Sequence, residues 1–174
     1  MFVQYLIGGT TSGAMLIIVA FLLSRFAGDR YGRALLVIFL FVAVGTYVGF
    51  AVGAEASGLW QLAQIGQAIA LGAMALRGRH GSPYWLAAAW ALHVVWDYPL
   101  HYLGPGHAFT PESWAVPCIS FDLLVAAYIV VAYRFDLVGE GRQERLAASR
   151  AAWSKALPPR RPVLLPLPGG VALP

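Results

Sequence analysis

Charge is what this sequence lacks most. Only 11% of its 174 residues are Asp, Glu, Lys or Arg, whereas 59% are hydrophobic. The charged share is about half of that usual in soluble domains. This composition excludes an ordinary soluble protein and indicates an integral membrane protein, one too short to add a second globular domain.

Cysteine and the common catalytic motifs are also scarce. Cys118 is the only cysteine, which excludes an intrachain disulfide and any metal site built from paired cysteines. The chain has no glycine-rich phosphate loop and no nucleophile elbow. Its net charge of +4 would suit nucleic acid, but the positions of the basic residues point to a membrane, so we expect no nucleic-acid partner.

Long apolar runs, by contrast, are abundant. A membrane-crossing helix needs about 20 consecutive apolar residues, and five windows meet this requirement. They are residues 4–24, 34–54, 57–76, 84–103 and 115–133.

The basic residues alternate between the connections of these five spans. All twelve Lys and Arg fall in segments 25–33 and 77–83 or in the tail from Arg134 onward. Basic connections stay on the cytoplasmic side of a membrane. We therefore predict an all-α, multi-pass bundle of five transmembrane helices in the cell membrane (the cytoplasmic membrane of a bacterium), with the N-terminus outside and the C-terminus cytoplasmic.

Composition divides the chain at about residue 134. Residues 1–134 are predicted to form the transmembrane domain, and 135–174 a basic, proline-rich cytoplasmic tail. Within the tail, residues 141–157 fit a basic helix with Leu146, Trp153 and Leu157 on one stripe. Such a helix would lie on the inner leaflet.

Three glycines mark one face of the second span. Gly45, Gly49 and Gly53 are four residues apart, and small residues at this spacing let two helices approach closely. Packing against another span of the same chain is the favoured interpretation, and a homodimer through these glycines is the alternative.

The fourth span carries the most informative polar residues. His93, Asp97 and His101 follow one another at intervals of four inside an apolar run. An ionisable side chain at mid-membrane costs roughly 2.5–3.5 kcal/mol even on lenient scales, so it marks a functional site. Pro99 is expected to kink the helix between Asp97 and His101.

The predicted topology places further polar residues at the same depth. Cys118 and Asp122 of the fifth span and Gln61 and Gln64 of the third all fall in the outer half of the membrane. We therefore predict one cavity, open to the outside or sideways to the outer leaflet. Its expected lining is Gln61, Gln64, Trp90, His93, Trp96, Asp97, His101, Cys118 and Asp122.

Two chemistries fit this set. In the first, His93, Asp97, His101 and Asp122 bind a divalent metal such as zinc or iron, which activates water or polarises a substrate oxygen. In the second, no metal is bound, and a protonated Asp97 or Asp122 acts as general acid. Aromatic rings would then stabilise a cationic intermediate; these are Trp60, Trp90, Trp96, Tyr98 and Tyr102.

Three classes of function remain open. The leading hypothesis is an enzyme for a lipophilic small molecule, either a metal-dependent hydrolase or oxidoreductase or an acid-catalysed isomerase or cyclase. Its predicted catalytic residues are His93, Asp97 and Asp122. Its predicted substrate-binding residues are Gln61, Gln64, Trp90, Trp96, Tyr98 and Cys118. The alternatives are a carrier of a metal, proton or ligand, and a structural membrane subunit; membrane lipid is a partner in every case.

Three stretches resemble a family of small bacterial and fungal membrane proteins classed as a domain of unknown function. They are Gly58-Leu-Trp-Gln61, Ala87-Ala-Ala-Trp-Ala-Leu-His-Val-Val-Trp-Asp97 and Pro117-Cys-Ile-Ser-Phe-Asp122. That family has a tryptophan-histidine-tryptophan-aspartate run, a histidine pair and a later cysteine followed by an aspartate. This chain departs at the pair, where it has His101-Tyr102. The resemblance implies that His93, Asp97, His101, Cys118 and Asp122 belong together, and it implies no activity.

Overall fold

The computed structural model describes residues 1–156, which are helical apart from short turns. Residues 1–156 contain no strand, so the all-α fold class is confirmed for them. A π-helical turn, Leu23–Ala27, extends the first helix, another, Asp97–Tyr102, extends the fourth, and a short 3₁₀ turn spans Pro105–Ala108. The six α-helices are α1 (Phe2–Leu22), α2 (Asp29–Gly53), α3 (Gly58–His80), α4 (Tyr84–Trp96), α5 (Glu112–Arg134) and α6 (Glu140–Ala156).

Four of the described helices are long and apolar enough to cross a membrane. They are Phe2–Ala27, Asp29–Gly53, Gly58–His80 and Glu112–Arg134, so the protein is a multi-pass membrane protein by length and composition. The predicted fourth span corresponds to α4, which has only 13 residues, and to the six-residue π-helical turn after it. Because α4 alone would extend about 20 Å, a fifth crossing requires both pieces and stays a prediction.

The first five helices form a ring in sequence order. Each packs against its neighbours in the chain, and α1 closes the ring against α5. Since successive helices run in opposite directions, the 27–29 and 81–83 turns and the end of α5 lie at one end of the bundle. We call this the basic end, because six arginines flank these turns and the end of α5: Arg25, Arg30, Arg33, Arg77, Arg79 and Arg134.

The apolar core fills the half of the ring nearest the basic end. Leu40, Ala75, Ala89 and Ile129, from four different helices, have no exposed surface. Truncating one such leucine or isoleucine to alanine costs about 2–5 kcal/mol. This packing therefore accounts for much of the stability of the bundle.

A polar network ties three helices together at the basic end. The Arg33 Nε donates to Asp29 Oδ2 (2.7 Å), and the Tyr133 hydroxyl donates to Asp29 Oδ1 (2.6 Å). The Arg33 Nη1 donates to the carbonyl oxygens of Gly78 and Gly81 at the end of α3. We call Asp29, Arg33 and Tyr133 the basic-end cluster; both carboxylate oxygens of Asp29, and Nε and Nη1 of Arg33, are bonded within the protein.

Glycines allow the closest helix contacts, but these glycines are on α1 and are not the three on α2 that the sequence predicted to pack. A Cβ on Gly9 of α1 would collide with the carbonyl of Pro117 on α5, and Gly13 lies against Phe121. No described atom lies within 4 Å of the corresponding point at Gly45, Gly49 or Gly53. The predicted packing of those three glycines within the chain is therefore wrong, since α2 turns that face outward; the homodimer through them stays a prediction.

Most of the helix α6, from Gln143 onward, belongs to a second compact unit. The expected helix at 141–157 is present as Glu140–Ala156, and Leu146 and Trp153 are exposed on it. Leu157 and the proline-rich segment after it lie outside the described residues. The position of α6 on a membrane surface stays a prediction.

Candidate metal centre

Three ionisable side chains meet between α4 and α5. His93 is in the last turn of α4, Asp97 follows it by one turn, and Asp122 lies on the facing side of α5. The His93 Nδ1 donates to Asp122 Oδ2 at 2.7 Å and lies 3.6 Å from Asp97 Oδ2. All three side chains are completely buried. The structure thus brings together the three residues predicted as catalytic.

The spacing of these groups suits a metal ion. One ligand atom from each residue lies within 4.8 Å of the other two. An ion with bonds of about 2 Å holds its ligand atoms roughly 3–4 Å apart, so small side-chain rotations are enough to bring them onto one centre. With a neutral imidazole, the two carboxylates carry two negative charges, which a divalent cation would balance.

Most of the polar atoms in this group have no partner within the protein. Both carboxylate oxygens of Asp97, Oδ1 of Asp122 and Nε2 of His93 are buried without a hydrogen bond from any described residue. Leaving one buried polar atom unpaired costs about 1–3 kcal/mol, and more if it is charged. A group that is retained at this cost is better explained by a ligand than by helix packing.

Tyr47 of α2 completes the surroundings of the centre. Its ring meets the His93 imidazole edge-on, with ring centroids 5.4 Å apart. Its hydroxyl is close enough to Asp97 and Cys118 to interact electrostatically but makes no hydrogen bond. Sequence reasoning did not find Tyr47 as a site residue, because no spacing rule links α2 to α4.

The predicted ligand His101 lies beside this group and is not part of it. Its Nε2 accepts from the Gln64 amide (2.8 Å), and its Nδ1 donates to the Trp96 carbonyl (3.0 Å). The Trp96 indole in turn donates to Gln64 Oε1. Because both ring nitrogens are bonded, His101 stabilises the turn after α4 and has no nitrogen free to bind a metal.

Aromatic rings enclose His101. The rings of Tyr47, Phe109, Trp60 and Trp96 lie around it with centroids 4.5, 5.7, 6.0 and 6.1 Å away. The imidazole fills the space between them, so a cationic intermediate could not occupy it. This arrangement disfavours the metal-free mechanism, because Trp60 and Trp96 are two of the five rings that it needs to face a substrate.

The other predicted substrate-binding residues are dispersed. Gln61 donates to the nearby Ala56 carbonyl. Trp90 is completely buried against Phe121, and Tyr98 is 43% exposed, where it stacks on Tyr102. Cys118 is partly exposed toward the cavity described next. The roles given to these residues stay predictions.

The cavity that adjoins the centre lies elsewhere than predicted. It is bounded by α1, α2 and α5, and its volume is about 310 Å³. Of the expected lining, only Cys118 and Asp122 contribute. The difference has a steric cause: aromatic rings and His101 fill the space between α3 and α4. The lining is Gly9, Ser12, Phe39, Val42, Ala43, Ser113, Trp114, Pro117, Cys118, Phe121 and Asp122.

Comparison with known protein families assigns the chain to one of them. A family model described as "Family of unknown function (DUF6010)" matches residues 8–134, which is most of the chain and includes the whole centre. The chain belongs to the DUF6010 family. No curated protein and no solved structure matches it. The family assignment agrees with the resemblance found from the sequence and carries no activity with it, so function has to be argued from the centre itself.

Proposed function

We propose that this protein is an integral membrane enzyme that uses a divalent metal, zinc or iron, to act on a lipophilic substrate. The metal would be held by His93, Asp97 and Asp122. When bound, it supplies a Lewis acid that polarises a substrate oxygen or activates water. Tyr47, with an unbonded hydroxyl next to Asp97, is placed to donate a hydrogen bond to the substrate.

One observation carries this proposal: the set offers three protein ligands and not four. Structural zinc sites are closed by four protein ligands, whereas catalytic sites keep one position open for water or substrate. The nearest further imidazole, that of His101, is engaged with Gln64 and Trp96. A metal bound by His93, Asp97 and Asp122 would therefore keep a free position.

The packed half of the bundle supports an enzyme over a carrier. A carrier needs access from both sides of the membrane. Between the centre and the basic end, the ring is filled by residues such as Leu36, Leu86 and Ile129, none more than 3% exposed. Access from one side only is what an enzyme with a membrane-soluble substrate requires.

The proposal includes five spans, with α4 and its π-helical turn as the fourth and the N-terminus outside. The basic residues flanking the turns at one end of the bundle support this orientation. A reporter fused to the C-terminus should be cytoplasmic, and a tag at the N-terminus should be accessible from outside. Finding both termini on the same side would refute the five-span topology.

Metal analysis tests the centre. Full-length protein purified in mild detergent should contain about one zinc or iron per chain by mass spectrometry. The variant His93→Ala should lose the metal, whereas the matched variant His101→Asn should keep it. Absence of metal after incubation with zinc and iron, or equal loss in both variants, would overturn the proposed ligand set.

A further inference from the structure

The cavity between α1, α2 and α5 shares one residue with the metal centre. Asp122 has no exposed surface, and it lines the cavity. Its Oδ2 accepts from His93, whereas its Oδ1 has no partner. A molecule in this cavity would therefore have an unpaired carboxylate oxygen, and a metal held by that carboxylate, at one end.

The cavity is elongated along α5. Its lining residues on α5 run along one stripe from Ser113 to Asp122, a distance of about 13 Å along the helix axis. A cavity of this length suits an extended hydrocarbon chain. The walls suit such a chain, because Phe39, Pro117 and Phe121 contribute apolar surface.

The side of the cavity faces the lipid. Phe39 and Val42 are 42% and 56% exposed on the outer surface of the ring, and Ser12 on the opposite wall is also exposed. Toward the end away from the basic turns, Trp114 packs edge-on against Phe50, with centroids 5.9 Å apart. The exposed walls indicate a way in from the side, between α1 and α2.

We propose that this cavity binds the hydrocarbon chain of a single-chain lipid alcohol, aldehyde or ester, which enters from the membrane between α1 and α2. The chain lies along α5 and its oxygen-bearing group is at Asp122. The reaction of that group rests on the proposed function, whereas binding of the chain requires only the cavity. The expected substrate is therefore a lipid with one unbranched or linear prenyl chain and one oxygen function; binding of a sterol in the cavity would contradict this.

Photolabelling tests this site. The probe is a 16-carbon primary alcohol with a diazirine at mid-chain, presented to the full-length protein in lipid nanodiscs, with labelled residues mapped by mass spectrometry. Adducts should concentrate on the cavity walls, in particular near Ser12 and Phe121. A diazirine-bearing sterol should not label these residues.

Two neighbouring positions on α1 provide a matched pair of variants. Ser12 and Thr11 each donate to the carbonyl four residues earlier (2.7 and 2.8 Å), but only Ser12 lines the cavity. Ser12→Phe should reduce labelling of α5 at least about tenfold by filling the space, and Thr11→Phe should not. Val42→Trp, on the α2 wall, should repeat the loss in case Ser12→Phe is misfolded.

The same samples separate this inference from the proposed function. Metal content should be unchanged in Ser12→Phe, because Ser12 contacts none of the three ligands. Specific labelling of protein that binds no metal would support the chain site and count against the enzyme. Equal labelling in Ser12→Phe and Thr11→Phe, or labelling of the cavity by the sterol, would overturn the chain site whatever the metal content.

Discussion

The basic-end cluster and the metal centre are both buried or half-buried polar groups that link α5 to other helices, but they differ in what their atoms bond to. In the basic-end cluster, Arg33 donates to Asp29 and to two carbonyl oxygens of the α3–α4 connection. In the centre, neither carboxylate oxygen of Asp97 has a partner at hydrogen-bond distance and angle among the described residues. The first group holds helices together, whereas the second has polar atoms that could bind the metal we propose.

The difference gives a physical criterion for separating structural from functional polar residues in a membrane bundle. Burial alone does not separate the two kinds of residue, because side chains in both groups are removed from water. Hydrogen-bond pairing does separate them. An unpaired buried atom lowers stability and is retained only where another benefit offsets that loss.

The largest expected effect is on metal affinity. Asp122→Asn should weaken zinc binding by more than about 100-fold, since removal of an outer-shell partner of a metal ligand already costs 10–100-fold. The matched variant Asp29→Asn, in the basic-end cluster, should leave the affinity unchanged. The measurement is competition with a chromogenic chelator; equal affinities in the two variants would remove the distinction between the clusters.

The next effect is on stability. Arg33→Met should lower the free energy of unfolding by about 2–4 kcal/mol, because Asp29 loses its cation and two α3 carbonyls lose a donor. Arg79→Met, an exposed position on the same end, should change it by less than about 0.5 kcal/mol. Thermal unfolding in detergent compares the two, and similar midpoints would show that the basic-end cluster is not structural.

A tyrosine in each cluster permits the same substitution in both. Tyr133→Phe removes a hydroxyl that donates to Asp29 and accepts from Arg33, so it should cost about 1–2 kcal/mol. Tyr47→Phe removes a hydroxyl without a hydrogen bond and should leave the stability unchanged or slightly higher. Unfolding measurements on both variants decide; a larger loss for Tyr47→Phe would contradict the assignment of the two clusters.

The smallest expected effect is a gain in stability. In protein stripped of metal by a chelator, Asp97→Asn should raise the free energy of unfolding by up to about 1 kcal/mol, because a neutral amide is less costly to bury than an unpaired carboxylate. With metal present, the order should reverse, since the wild type gains binding energy. A destabilised metal-free variant would mean that Asp97 already has a structural role.

Some of this structure could be predicted from the sequence. The lengths of the apolar segments predict the helices. The alternation of basic residues between the connections predicts that they cluster at one end of the bundle. The spacing of four residues predicts that His93 and Asp97 are close together. Asp122 was placed by depth alone. Each of these inferences depends on distance along a helix, which the sequence determines directly.

The rotation of each helix about its own axis could not be predicted. In water, a polar stripe shows which face is outside; in a membrane, the faces toward lipid and toward the core are both apolar. For this reason the outward face of Gly45, Gly49 and Gly53 was assigned to the interior, and the cavity beside Gly9 and Ser12 was missed. The bonding of both His101 nitrogens depends on Gln64 of another helix, which no local pattern reports.

The π-helical turn Asp97–Tyr102 affects how many side chains the candidate centre can offer to one ion. In an uninterrupted α-helix, His93, Asp97 and His101 would follow one stripe, with His101 about 12 Å along the axis from His93. The wider turn rotates His101 off the stripe and toward Gln64. One additional residue in this turn of backbone thus fastens the last imidazole of the segment to another helix, and it leaves His93, Asp97 and Asp122 as the set that could share one ion.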